Sequence, residues 1–487
     1  MQNISLKSQA TKGVFWNAIE SFSIQVGQFA ITIILARMLM PLDFGLIGML
    51  TIFIAISQSI VDSGMGTALV QKSDRTEADF STVFIFNFAI STGIYLILFF
   101  SAPLIAKFYA VPQLVSLTRV LCLNIVINSL SLVQTTRLTI AVDFKTMAKV
   151  NVISVIVSGI FAIFVALLGF GVWALVFQAL IRSIVTCLML WYLSRWKPSI
   201  KFSKNSFKTL FGFGSKILGV GLIGTLFQNI YKVIIGKVYS AETLGYYTQG
   251  FQFAEMTAGT VTSILQKVTF PILASIKDDK KRMVSVYRKM LGMASFFIFP
   301  VMTMLALLAD PLVRFFLSDK WLPTVPLLHW LCFARIIFPI SVLNLNILNA
   351  IGRSDLFLKV DLSKLPMAII ALIITIPLGI KAVVIGHVVT SFLAYFVNAY
   401  MPGKLFSFGA TEQMKVMAPK AIATAMMAAL VYFVMSFIDF PLPQLIFGGL
   451  TGILAYILFS MLLKIQEVNE VINIASSFLN FRKSVAK

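Results

Sequence analysis

Apolar residues run along this chain in long solid blocks parted by short polar stretches. Windows of about 20 residues, the length an α-helix needs to cross a bilayer core, fit at fourteen places: 14–36, 44–62, 80–102, 115–135, 149–168, 171–193, 211–236, 246–274, 290–309, 325–348, 360–378, 382–401, 417–437 and 443–463. The windows at 115–135 and 246–274 are the least apolar. The blocks are continuous rather than alternating, so they predict helices and not barrel strands, because backbone in lipid must satisfy its own hydrogen bonds. The expected fold class is an all-α integral membrane protein with about 14 transmembrane helices.

The pattern repeats. Gln28, Arg37 and Gly45 return 200 positions later as Gln228, Lys237 and Gly245, with apolar filler of the same kind between them. At an offset of 210, Leu168-Gly-Phe-Gly-Val-Trp-Ala-Leu175 faces Leu378-Gly-Ile-Lys-Ala-Val-Val-Ile385, and Lys149-Val-Asn151 faces Lys359-Val-Asp361. A duplicated helical unit with a short insertion accounts for both offsets. It predicts an N-terminal six-helix lobe over 1–194, a basic linker over 195–210 and a pseudo-symmetric second lobe over 211–402. Two further helices and a tail follow over 403–487. A duplicated membrane unit places its binding site where its halves meet, so a transporter is the first hypothesis.

Polar residues inside a membrane are costly, and their angular placement is informative. At 100° per residue, Asn17, Ser21, Gln25, Gln28 and Thr32 of the first helix fall within an arc of about 80°, with Glu20 to one side. On the seventh helix, Thr225, Gln228 and Lys232 occupy the equivalent arc, with Asn229 beside it. The two stripes line either a hydrated, substrate-binding cavity between the lobes or a set of interhelical hydrogen bonds. A lysine near mid-helix needs water or an anion, which favours the cavity. Other charges within spans are Asp62, Arg119, Arg182, Lys216, Glu255, Lys267, Arg335 and Asp361. Basic ones dominate, as suits an anionic substrate. Glu20, Asp62 and Glu255 are candidates for coupling to Na+ or H+. Asp62, at the head of Asp-Ser-Gly-Met-Gly, also fits a helix-end role, and the two glutamates could instead pair with a neighbouring lysine.

The formal charge of +21 in a chain that is 59% hydrophobic and 12% charged, with mean hydropathy +0.92, does not indicate nucleic acid. Of the 40 Lys and Arg, 28 fall in the segments that lie inside if the N-terminus is cytoplasmic: Lys7 to Lys12, Lys72 to Arg75, Arg137 to Lys149, Arg195 to Lys208, Lys277 to Lys289, Arg353 to Lys364, Lys404 to Lys420 and Lys464 onward. Only 6 fall outside. Under the positive-inside rule both termini are cytoplasmic, and attraction to anionic membrane lipids is a by-product. The linker, with aromatics among its charges, is expected to lie in the headgroup zone and let the lobes move. No cleavable signal peptide is read. Cys122, Cys187 and Cys332 are expected to be packing residues. His329 and His387 are far apart with no metal-ligand spacing, and there is no phosphate loop or nucleophile elbow. Neither metal, cofactor nor catalytic residues are expected, so the chain is not read as an enzyme.

Three stretches carry a family resemblance: Lys12-Gly-Val-Phe-Trp16, Ile34-Leu-Ala-Arg-Met-Leu-Met-Pro-Leu-Asp-Phe-Gly45 and Asp62-Ser-Gly-Met-Gly-Thr-Ala-Leu-Val-Gln-Lys72. Together with Gly171-Val-Trp-Ala-Leu175, they resemble Wzx-type oligosaccharide flippases, the polysaccharide exporters of the multidrug/oligosaccharidyl-lipid/polysaccharide superfamily. The resemblance implies two six-helix lobes around a central cavity that opens alternately to each side, plus two C-terminal helices. It implies an undecaprenyl-diphosphate-linked oligosaccharide as substrate, a bacterial inner-membrane location and other polysaccharide assembly proteins as partners. It also implies cationic cavity residues that hold the diphosphate. Here the first helix offers only Arg37 near its outer end, with Glu20 deeper, so that clamp would rest more on Lys232. The alternatives are a multidrug/cation antiporter of the same superfamily, whose cavity needs buried carboxylates, and a repeat-unit polymerase, which needs a sizeable outer loop.

Overall fold

The structure, a computed structural model, describes residues 24–62, 64–199, 201–276 and 278–471. Among these residues there are helices and no strand. The first helices are α1 (Ile24–Met38), α2 (Pro41–Asp62), α3 (Met65–Gln71), α4 (Glu77–Tyr109), α5 (Leu114–Leu121), α6 (Leu123–Ser129), α7 (Leu132–Ile140), α8 (Phe144–Leu167), α9 (Trp173–Ser194) and α10 (Lys204–Val238). They are followed by α11 (Ala241–Ser275), α12 (Lys280–Leu307), α13 (Ala309–Leu312), α14 (Thr324–Ile336), α15 (Phe338–Ala350), α16 (Ser354–Ser363), α17 (Leu365–Thr375), α18 (Ile380–Phe406), α19 (Ala410–Met435) and α20 (Pro441–Leu462). The chain packs as two compact units, one up to Thr248 and one from Gln249. Their boundary falls inside α11, beyond the 195–210 linker where the sequence repeat divides, so α10 packs with the first unit.

Ten helical stretches among the described residues are long and apolar enough to cross a membrane. The windows at 211–236 and 246–274 lie on α10 and α11, each 35 residues long. The window at 360–378 breaks into α16, α17 and a 3-10 turn over Ile376–Leu378. Pro366 and Pro377 sit at the first turns of those pieces, where a missing N–H costs no ladder bond.

Four helix starts are capped by side chains. Thr76 and Asp79 form a capping box at α4, with Asp79 also held by Lys72 at 2.8 Å. Asp143 accepts from the Thr146 amide, Ser203 from the Ser206 amide and Asp279 from the Arg282 amide. All four caps lie in or beside segments that the charge pattern assigns to one side.

Those segments also converge. In the first unit, Arg137 pairs with Glu77 at 3.1 Å, and Glu77 accepts the Trp196 indole N–H at 2.7 Å. In the second, Lys289 meets Glu470 at 2.8 Å and Lys420 meets Glu467 at 2.9 Å. At the opposite end of the first unit, Lys237 donates to the Phe108 carbonyl. The linker is strapped down rather than free. Trp196 is buried edge-on against Phe80 and Phe84, and the Ser199 and Ser203 amides donate at 3.0 Å to the hydroxyls of Ser81 and Thr82. An indole has one donor to satisfy, and Glu77 at the start of α4 supplies the acceptor.

In the first unit the 200-residue repeat is also a packing relation. A Cβ on Gly45 would run into the Ala241 carbonyl, and one on Gly245 would run into the Pro41 carbonyl. Residues 41 and 241, and 45 and 245, are repeat partners, so the contact is reciprocal, as about a two-fold axis. Gly48 extends it, its Cβ position lying 3.0 Å from the Thr248 hydroxyl. Small residues let membrane helices approach backbone to backbone.

Candidate functional site

The predicted polar residues on α1 and α10 divide into two kinds. Gln28, half-buried on α1, accepts a hydrogen bond at 3.0 Å from the Arg182 guanidinium, halfway along α9. Gln25 lies almost one turn before it and is also partly buried. Two glycines bring α1 against α8. A Cβ on Gly27 would sit 3.3 Å from Val155, and one on Gly159 would strike Ile31. On α10, Thr225 shares a 2.9 Å hydrogen bond with Ser59 of α2, and the buried Asn229 donates to the Thr225 carbonyl at 2.9 Å. Gln228, turned further round the helix, is exposed, and Lys232 is half-buried. Thr225 therefore joins α10 to α2, while Asn229 bonds back along its own helix. Gln228, on the other edge of the stripe, is exposed. Glu20, Asn17 and Ser21 lie outside the described residues.

Asp62 ends α2, exposed, and accepts from Gln58 Nε2 at 3.1 Å. Gly64 follows with φ at +66°, a conformation that side chains disfavour, and it turns the chain into α3. The helix-end role and an exposed carboxylate therefore coexist at this position.

Glu255 on α11 pairs within the second unit with Arg335 of α14 at 2.7 Å. The Arg335 guanidinium lies over the rings of Phe251 and Phe338, 4.6 and 4.7 Å from their centres. Its side chain is 13% exposed against 38% for Glu255, so the carboxylate is the member of the pair that water can reach. The partner is an arginine and not the lysine the sequence suggested. Arg119 donates to the Phe99 carbonyl and stacks on its ring, and Asp361 pairs with Lys364 at 2.5 Å. The side chains of Lys216 and Lys267 fall outside the described residues.

The residues missed by pattern reading are those whose partners lie far away in sequence. Tyr287, Asn344 and Gln413, all fully buried, form a closed network in which Gln413 Nε2 donates to Asn344 Oδ1 at 2.7 Å and Tyr287 Oη donates to the same atom at 2.6 Å. It ties α19 to α12 and α15. Cys122, Cys187 and Cys332 are buried free thiols. Among the described residues no group of His, Cys, Asp or Glu is placed to hold a metal ion.

This helical architecture is that of a known class of membrane transporter. The solved lipid II flippase MurJ, in an inward closed conformation, superposes with a TM-score of 0.76 over 92% of this chain and 98% of its own, at 17% identity. An inward-facing multidrug resistance MATE family transporter of the MOP superfamily gives a TM-score of 0.63 over 81% of this chain and all of its own, at 16% identity. At such identities the likeness is one of fold. The family described as "Polysaccharide biosynthesis protein" matches residues 34–326, and the chain belongs to it. Similar curated proteins include the teichuronic acid biosynthesis protein TuaB of Bacillus subtilis (strain 168), 28% identical over 72% of this chain and 73% of its own. The lipopolysaccharide biosynthesis protein WzxC of Escherichia coli (strain K12) is 23% identical over 81% of this chain and 82% of its own. The succinoglycan biosynthesis transport protein ExoT of Rhizobium meliloti (strain 1021) is 25% identical over 67% of this chain and 66% of its own.

Proposed function

We propose that this protein flips undecaprenyl-diphosphate-linked oligosaccharide repeat units from the cytoplasmic to the periplasmic leaflet of a bacterial inner membrane, supplying surface polysaccharide synthesis. The observation that carries the reading is the joining, in one chain, of polysaccharide biosynthesis family membership with the fold of a lipid II flippase. WzxC and ExoT, named for lipopolysaccharide biosynthesis and succinoglycan transport, support the same substrate class. The work is transport by alternating access of the two repeats rather than catalysis, coupled to Na+ or H+. The antiporter alternative calls for carboxylates free to exchange a cation, whereas Glu255 is engaged by Arg335. Deleting the gene in its own host should abolish the surface polysaccharide while its lipid-linked precursor accumulates. Normal polysaccharide without that accumulation would overturn the reading.

The convergence of the basic segments supports cytoplasmic termini. Cysteines replacing the exposed Lys201 and Lys281 should be shielded from impermeant thiol reagents in intact cells, and one replacing the exposed Asp319 should be labelled. Labelling at Lys201 or Lys281 would reverse the orientation.

Gln25, Gln28, Gln228 and Lys232 line the hydrated path in this reading, with Lys232 meeting the diphosphate by charge-assisted hydrogen bonds. Thr225 ties α10 to α2. Lys232→Ala should cost about 1.5–3 kcal/mol of substrate binding, and Lys232→Arg much less, scored as surface polysaccharide at low, matched expression. Full export by Lys232→Ala would move the clamp to Arg335.

A further inference from the structure

The first unit contains a cavity of about 590 Å³ at the inner end of α2, bounded by α2, α3, α7 and α10. It lies within the roughly 300–1,000 Å³ range of small-ligand sites. Its chemistry is one-sided. Thr135 and Thr136 each point a hydroxyl proton back at the carbonyl four residues earlier, at 3.0 and 2.9 Å; Ser59 and Thr139 do so at 2.9 Å, with Ser59 also bonded to Thr225 and Thr139 to Met147 Sδ. A hydroxyl has one proton and two lone pairs. With the proton committed to the helix, Thr135 and Thr136 offer a guest only acceptor capacity. Asp62, on the same wall, is an acceptor too, with one oxygen engaged by Gln58. No Lys or Arg stands among the described residues that line it.

A phosphate presents acceptors and negative charge, which the Asp62 carboxylate and the threonine oxygens oppose. A group rich in O–H and N–H donors fits. Glycines keep the space open: Gly64 takes the turn at φ +66°, and a Cβ on Gly66 would press to 3.3 Å from the Thr136 hydroxyl. We infer that this cavity receives the sugar part of the lipid-linked substrate at the cytoplasmic face, donating hydroxyls to Asp62, Thr135 and Thr136, apart from the cationic groups that hold the diphosphate. This deepens the proposed flippase reading and rests on it.

The test measures binding to the purified full-length protein by native mass spectrometry. Two probes are compared, undecaprenyl diphosphate and the lipid-linked oligosaccharide fraction extracted from the host's membranes. The parent should prefer the glycan-bearing lipid. Asp62→Asn, Thr135→Val and Thr136→Val should each reduce that preference by about tenfold or somewhat less, the worth of one hydrogen bond of about 1 kcal/mol or a little more. Binding of the bare diphosphate lipid should be unchanged. Thr135→Ser, which keeps the hydroxyl, should retain the preference and controls for packing. Equal loss of both probes, an unchanged preference in the variants, or an effect of Asp62→Asn with none from the threonines would each overturn the inference, the last pointing to a cation site. A parent that binds neither lipid would instead overturn the flippase reading itself.

Discussion

Replacing Gly45 or Gly245 with alanine should cost about 3 kcal/mol and abolish most export, and the two substitutions should be about equally severe. Overpacking in a close-packed interior typically costs about 1–3 kcal/mol, more when the obstacle cannot yield. Here the obstacle is backbone. The new methyl on residue 45 meets the Ala241 carbonyl, and the one on residue 245 meets the Pro41 carbonyl. No side-chain rotation relieves either clash, so α2 and α11 must separate. Gly93→Ala is the control. Its Cβ would have nothing within 4 Å, and removing a helical glycine should be neutral or stabilise by about 0.5–1 kcal/mol. Melting temperatures of detergent-purified variants, with surface polysaccharide measured in parallel, decide the matter. Gly45→Ala melting and exporting like Gly93→Ala would mean that the helices do not cross there.

Lys420→Met should destabilise the second unit by about 3–5 kcal/mol, because it leaves the Glu467 carboxylate buried without its counter-ion. The pair is 8% and 13% exposed, and Gly292 opposite provides the space, since a Cβ there would strike Glu467 Oε1. Ile465 and Val468 flank the carboxylate and pack with Phe296, Met427 and Tyr456, so losing the pair should loosen the segment after α20. Glu467→Gln alone should be comparably severe, because it leaves the Lys420 ammonium buried with only the Val416 carbonyl to meet it. Combined with Lys420→Met it should recover much of the loss, because a well-packed apolar replacement of a buried ion pair is often neutral. Thermal melting of the three variants reads this directly. Additive losses in the double variant would show that the two groups are not coupled.

The sequence made the class of fold legible because spans are written in apolar length and topology in the distribution of Lys and Arg. It also displayed the identity of Gly45 with Gly245. Correspondence is not contact, however, and nothing in the pattern said that repeat partners touch. The polar stripe on α10 was visible as an arc. Its division into Thr225, bonded to α2, and the exposed Gln228 depends on where α2 crosses, which periodicity does not encode. Arg182 and Arg335 were legible as costly charges, while their partners Gln28 and Glu255, 154 and 80 positions away, were not. The anchoring of the basic, aromatic linker was not legible in its composition. Trp196 is drawn into the protein, where Glu77 accepts its indole N–H.

Transbilayer movement in a reconstituted system tests the central claim most directly. Proteoliposomes containing the purified protein would be loaded with the host's lipid-linked oligosaccharide and probed from outside with an impermeant lectin or glycosidase. With an imposed Na+ or H+ gradient, the accessible fraction should rise from the outer-leaflet share to nearly the whole pool, and the Gly45→Ala protein should stay near the protein-free baseline. Accessibility in parent vesicles that never exceeds protein-free vesicles, whichever gradient is imposed, would contradict the account.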